Sequence, residues 1–274
     1  DCIGVTMKLY DNEDIGMDQE KTCCSLSDIE DARSVAVKLG IPYYVFNFKA
    51  DFKEKVIDPF IDSYRCGMTP NPCIECNRHL KFTQLHQKAR ELQCDVVVTG
   101  HYARITKDEQ GYHLLKGKDA AKDQSYVLYS LTQEQLAHTC FPLGEYTKEE
   151  IRRMAEEQGF FNAGKKDSQD ICFIPDGDYR RFIEETTGQK STPGNFVDQE
   201  GNVLGIHKGY YCYTIGQRRG LGISAPQSLY VVEIRPEKNE VVLGSNEDLF
   251  HSHLTADHFN WIEQVGPDEI IKAR

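Results

Sequence analysis

The sequence has no apolar run approaching the roughly 20 residues that a membrane-spanning helix requires. Its first residues lack the basic, apolar and small-residue order of a secretory signal, so a cytoplasmic protein is expected. It contains neither a repeat nor a low-complexity segment. Positive charge is also short: 32 Lys and Arg stand against 43 Asp and Glu, for a formal net charge of -11. That balance excludes a generic nucleic-acid coat protein, whose phosphate binding rests on clustered cations. Local recognition stays open. Basic residues gather at Lys116, Lys118 and Lys122, at Lys165 and Lys166, at Arg180 and Arg181, and at Arg218 and Arg219, although each group alone reads as a solvated face.

What is present fits a folded chain. With 274 residues and 39% hydrophobic content there is room for one large domain or two to three smaller ones, each with a core. Ten cysteines would suggest a disulfide framework in a small secreted chain, but in one of this size reduced thiols are the better expectation.

Residues 2–9 (CIGVTMKL) read as a buried strand, residues 27–39 as a helix behind a Ser27/Glu30 capping box, and residues 43–48 as a second strand. Helices near 51–64 and 77–92 and a strand at 95–99 continue the alternation, which predicts a parallel sheet covered by helices. After about Tyr179 short β-rich runs take over, at 203–207, 210–215, 230–234 and 240–243. The last two are joined by a Pro-Glu-Lys-Asn turn that predicts a hairpin. A further unit begins near His253.

Residues 67–77 (GMTPNPCIECN) are the most informative. Two prolines stiffen the loop, and Cys76 follows Cys73 by three residues where a helix is predicted to start, a place that favours the thiolate. A single Cys-x-x-Cys is equally half a zinc site or a redox pair, but no second pair exists to complete the zinc set. Cys172 lies in KKDSQDICFI, where two preceding lysines would support a thiolate and two apolar neighbours would instead bury it. The strand at 95–99 runs into Gly100-His101-Tyr102, and ligands gather beyond the carboxyl ends of parallel strands. Met7, at the end of the first strand, is placed to meet an adenine. Lys122, Asp123 and Gln124 offer RNA contacts or simply a polar turn before a β-like run. The arginines of YTIGQRRGLG suit phosphate contact or a sharp loop.

Together TPNPCIECN, VVTGHYAR, KDQSYVLY, GKKDSQDICFI and YTIGQRRGLGI resemble the bacterial tRNA-specific 2-thiouridylase family, over essentially the whole chain. The resemblance implies a PP-loop (adenine nucleotide alpha hydrolase-like) α/β domain over 1–178, a small β-rich central domain over 179–249 and the start of a C-terminal β-barrel over 250–274. It implies ATP with Mg as cofactor, tRNA as substrate and a sulfur-relay persulfide donor as partner. ATP adenylates the C2 oxygen of the wobble uridine, and sulfur then displaces AMP. By similarity Cys76 is the nucleophile and Cys172 carries the persulfide, the two ending as a disulfide. Asn71, Pro72 and Cys73 match the segment touching the target base. Met7 and Gly100 match nucleotide contacts, and His101, Lys122, Asp123, Gln124 and Arg274 match tRNA contacts.

Some relatives carry Asp at the position of Cys73, so an alternative makes Cys73, Cys76 and Cys172 three thiolates of a [4Fe-4S] cluster. The family's SGGxDSS phosphate loop, expected upstream of Cys2, and the end of the barrel, expected beyond Arg274, do not occur in the sequence, so the isolated stretch is expected to be inactive. Two rival readings follow, another PP-loop ligase and a tRNA-binding module without catalysis.

Overall fold

The computed structural model describes residues 1–11, 26–164, 171–263, 266 and 270. Strand β1 (Gly4–Lys8) pairs in parallel with β2 (Tyr43–Asn47), and helix α1 (Leu26–Leu39) lies between them in sequence. The register runs from Gly4 opposite Tyr43 to Lys8 opposite Asn47. The next helix is continuous in three parts, α2 (Lys49–Phe52), a π-helical stretch (Lys53–Ile57) and α3 (Asp58–Arg65). Phe52, Val56 and Phe60, with Ile57, Ile61 and Tyr64, recur at three to four residues, so one stripe is buried.

A second composite helix joins α4 (Pro72–Glu75), a π-helical stretch (Cys76–Gln84) and α5 (Leu85–Glu91). Short strand β3 (Val97–Val98) leads to a hairpin of β4 (Ala103–Asp108) and β5 (Gly111–Lys116), then to a 3-10 turn (Ser125–Val127) and α6 (Gln133–Ala137). Strand β6 (Thr139–Cys140) returns parallel to β3. Gly144 has no room for a side chain, since a Cβ there would sit 1.8 Å from the Ala103 carbonyl oxygen. Helix α7 (Lys148–Glu157) opens on a reciprocal Thr147/Glu150 cap, and α8 (Tyr179–Thr187) is closed by Gly188 at φ +66°. The chain then forms one sheet in the order β8 (Val203–His207), β7 (Gly194–Val197), β10 (Glu240–Gly244), β9 (Tyr230–Arg235). The architecture is α/β with parallel strand pairs, followed by a β-rich unit.

Three apolar clusters hold it together. The first joins Leu9, Tyr10, Phe48 and the α2–α3 stripe to Cys76, Leu80, Phe173 and Ile174, and it also takes Phe182 and Ile183 from α8. The expected boundary between residues 178 and 179 therefore falls within one core. The second packs Phe82, Ala103, Val127, Leu128, Leu131, Leu136 and Phe141. The third fills the β-rich sheet around Phe196, Val231 and Val241. After Leu249 no strand occurs among the described residues, and the segment turns back: Asn260 Nδ2 donates to the carbonyls of Tyr129 and Leu131 at 2.8 and 2.9 Å, and Ile262 packs on the second cluster. No described helix is long and apolar enough to cross a membrane.

Three expectations need correction. The run at 210–215 is not a strand but a 3-10 turn (Tyr210–Cys212), because Tyr210 and Tyr213 pack into the third cluster while Tyr211 packs on the first, a division that alternating strand faces do not supply. The β-like run after Gln124 is likewise a 3-10 turn, with both Val127 and Leu128 buried. The helix expected from residue 77 begins at Pro72, since Asn71 caps it by accepting from the Cys73 N–H at 3.1 Å and proline is preorganised for the first helical position. The expected hairpin at 230–243 is present, with Asn239 in its turn at φ +50°.

Candidate active site

The helix starting at Pro72 places two cysteines in different surroundings. Cys73 is exposed in the first turn, its N–H capped by Asn71, whereas Cys76 lies one turn in and is buried against the first cluster. The helix-end field fades within the first turn, so Cys76 lies beyond it, contrary to the sequence expectation. Beside Cys76, Glu75 bridges Arg78 at 2.9 Å and His79 at 3.1 Å, and Arg78 also donates to the Tyr129 hydroxyl at 3.1 Å. Those contacts fix the outer face of the helix.

Cys172 follows residues 165–170, and Lys165 and Lys166 lie outside the described residues. Its side chain is half-buried and packs on the same first cluster that holds Cys76. Neighbouring Phe173 anchors it, meeting Phe52 and Phe60 edge-on at 5.5 and 5.3 Å. The Tyr10 hydroxyl donates to the Cys172 carbonyl at 2.7 Å. Both cysteines are thiols. Met7, at the end of β1, packs on this cluster too. The fold thus gathers Met7, Cys76 and Cys172, from three separated stretches, around one core.

Gly100 follows β3 and is exposed, with only Leu143 Cδ1, at 3.4 Å, within reach of a notional Cβ. Such an uncovered strand end fits close approach of a nucleotide. His101 is different: it is 6% exposed, boxed by Phe82 and Phe141, and its Nδ1 lies 2.7 Å from Thr99 Oγ1. Burial, with Lys81 nearby, pushes its pKa down to about 3, so the ring is neutral at physiological pH. Asp123 is occupied internally, accepting from the N–H groups of Gly117 at 3.0 Å and Ser125 at 3.3 Å and from the Ser125 hydroxyl at 2.9 Å. Gln124 Oε1 accepts from the Tyr102 N–H at 3.0 Å. These two side chains brace the turn; Lys122, half-buried beside them, extends the same loop. Asn71 and Cys73 are exposed at the helix entrance, and Pro72 is buried. Arg274 lies outside the described residues.

Among the described residues no three His, Cys, Asp or Glu side chains gather to hold a metal ion. Cys73, Cys76 and Cys172 are all described, so the [4Fe-4S] alternative is not supported: Cys73 faces solvent while Cys76 turns into the core. Sequence reasoning also missed Tyr10 and Asn77. Asn77 carried a signal, as the residue directly after Cys76, whereas nothing near Tyr10 pointed to a partner 162 positions away.

Residues 1–176 match a family model described as the tRNA methyl transferase HUP domain, and residues 180–245 one described as the tRNA methyl transferase PRC-barrel domain. Among curated proteins the chain is similar to the tRNA-specific 2-thiouridylase MnmA of Clostridioides difficile, 53% identical over 96% of this chain and 73% of the relative. The MnmA of Lachnoclostridium phytofermentans is 53% identical over 95% and 73% of the two chains, and that of Clostridium perfringens 50% identical over 98% and 76%. With relatives at 50–53% identity over 95–98% of its length, the chain belongs to the tRNA-specific 2-thiouridylase family.

Proposed function

We propose that this chain is a tRNA-uridine 2-sulfurtransferase that thiolates the wobble uridine by passing sulfur through Cys172 and Cys76. The observation that carries the reading is the attachment of both thiols to one apolar cluster. The matched domain models carry a methyl-transfer name, but two thiols around one core suit sulfur, and the relatives at 50–53% identity are named as thiouridylases.

Sulfur arrives as a persulfide on Cys172, delivered by a persulfide donor protein. ATP with Mg, held beside Met7 and Gly100, supplies the activation of the uridine C2 oxygen. The outer persulfide sulfur bonds to C2 as the C2–O bond breaks, and the oxygen leaves in AMP. The Cys76 thiolate then attacks the Cys172 sulfur and breaks the S–S bond. Sulfur stays on the base, and a Cys76–Cys172 disulfide remains for reduction. The Asn71-Pro72-Cys73 segment meets the target base at the helix entrance through the exposed Asn71 and Cys73, with the buried Pro72 setting the backbone between them. Lys122 reaches the RNA backbone, while Asp123, Gln124 and the neutral His101 shape the wall behind it. We place the catalytic domain at 1–178 and the central domain at 179–249, with α8 serving as the joint between them.

The test incubates the full-length protein with tRNA, ATP and a persulfide donor, and in parallel with S-adenosylmethionine, and analyses the nucleosides. 2-Thiouridine in the first reaction alone supports the proposal. A methylated base, or no pyrophosphate release in either, would contradict it and favour a methyltransferase or a non-catalytic binding module respectively.

A further inference from the structure

The helix that bears Cys76 touches two cores at once. Cys76 and Leu80 belong to the first cluster, whereas Phe82 is buried in the second and Ile74 packs against it. The stretch Cys76–Gln84, which carries Cys76, Leu80 and Phe82, is π-helical, a rare winding that recurs at functional sites. Something must fix its rotation if the thiol is to stay on the first cluster.

Asn77, the residue directly after Cys76, is 2% exposed. Its Nδ2 donates to the Val127 carbonyl at 3.0 Å. Its Oδ1 is buried and has no hydrogen-bond partner among the described residues. An apolar side chain would avoid that unmet acceptor, so the single bond to Val127 is what the amide contributes here. The anchor is itself rigid. Gln124 exchanges bonds with Tyr102 through its N–H (2.9 Å) and its Oε1 (3.0 Å), the Val127 N–H donates to the Gln124 carbonyl at 3.2 Å, and Val127 is buried.

We propose that Asn77 is a positioning residue for sulfur transfer: by tying the π-helical stretch to the 124–127 turn, it holds the Cys76 thiol on the side of the first cluster where Cys172 lies. This rests on the reading that Cys76 takes part in sulfur transfer. Asn77 acts through the helix and does not touch the base. It governs the meeting of the two thiols and leaves activation of the uridine untouched.

The test uses the full-length protein carrying Asn77→Ala, with Asn77→Ser as the variant if Asn77→Ala does not fold. Three rates are compared with wild type: pyrophosphate release with tRNA and ATP, single-turnover 2-thiouridine formation, and formation of the Cys76–Cys172 disulfide with diamide, which takes two hydrogens from the thiols and becomes the hydrazine. The expected result is pyrophosphate release within about twofold, with thiolation and disulfide formation each slowed more than tenfold. Unchanged disulfide formation and thiolation in a folded variant would overturn the proposal, as would a fall in all three rates together, the signature of a general packing defect. Cys76→Ser, run alongside, separates the two claims. Full thiolation by that variant would remove Cys76 itself, whereas loss of activity there beside a normal Asn77 variant would remove only the positioning role.

Discussion

Tyr10 and Cys172 are joined by a hydrogen bond of 2.7 Å from the phenol to the cysteine carbonyl, across 162 positions of sequence. The bond ties the backbone that presents one thiol to the end of the first strand pair, close to Met7. Tyr10→Phe keeps the ring in its buried site and removes only the donor. A loss of about 1 kcal/mol in unfolding free energy is expected, the usual net worth of such a bond. Thiolation should slow several-fold while pyrophosphate release holds. Equal slowing of both steps would show that the bond does not act on Cys172.

Phe173 makes a stronger prediction. It is 1% exposed and packs edge-on against Phe52 and Phe60. Phe173→Ala should cost about 3–5 kcal/mol by denaturant titration, since it removes a large buried ring and leaves a cavity. A cost below about 1 kcal/mol would mean that the segment bearing Cys172 is not held by this core.

Acid stability follows from His101. Its folded pKa, about 3, lies below the ordinary histidine value, so the unfolded chain binds a proton that the folded chain refuses. Stability is therefore full above about pH 6.5 and falls as the pH drops from there towards 3. Burial depresses His86 in the same direction. His101→Gln should flatten the pH dependence of unfolding between about pH 6 and 4, measured by urea titration at each pH. An unchanged slope would contradict the buried, neutral ring.

The reach of the sequence can be judged from these residues. The β1–α1–β2 unit and the β9–β10 hairpin were legible because apolar periodicity and turn residues agree locally. Tyr210 to Tyr213 looked like a strand because aromatic residues favour strands, but two cores compete for those rings. The cysteines were legible as residue types in unusual loops. Their environments were not, because Cys76 is buried by partners distant in sequence and its helix starts at a cap one turn earlier. Asp123 and Gln124 offered the right groups for RNA, but sequence could not show that backbone N–H groups already engage them.

The ion pairs sort the basic clusters. Arg180 pairs with Glu184, and Arg181 with Asp176 and Glu185, whereas no such pair joins Arg218 or Arg219 to another described residue. Neutralising Arg218 and Arg219 together should weaken tRNA binding and reduce its log–log salt slope by about one to two. Neutralising Arg180 should leave the slope unchanged. The reverse pattern, read by filter binding at several salt concentrations, would move the RNA contact to α8.

The central claim is that sulfur crosses from Cys172 to the base with Cys76 completing the transfer. The most direct measurement is single-turnover thiolation by the full-length protein loaded with radiolabelled persulfide sulfur, comparing wild type, Cys76→Ser, Cys172→Ser and Cys73→Ala, with iron content determined anaerobically for each. The account predicts label on Cys172 before tRNA is added and on 2-thiouridine afterwards. It predicts no thiouridine from Cys76→Ser or Cys172→Ser, continued pyrophosphate release from Cys172→Ser, and retained activity without stoichiometric iron in Cys73→Ala. Full thiolation by Cys76→Ser or Cys172→Ser, or activity that tracks iron through Cys73, would contradict it.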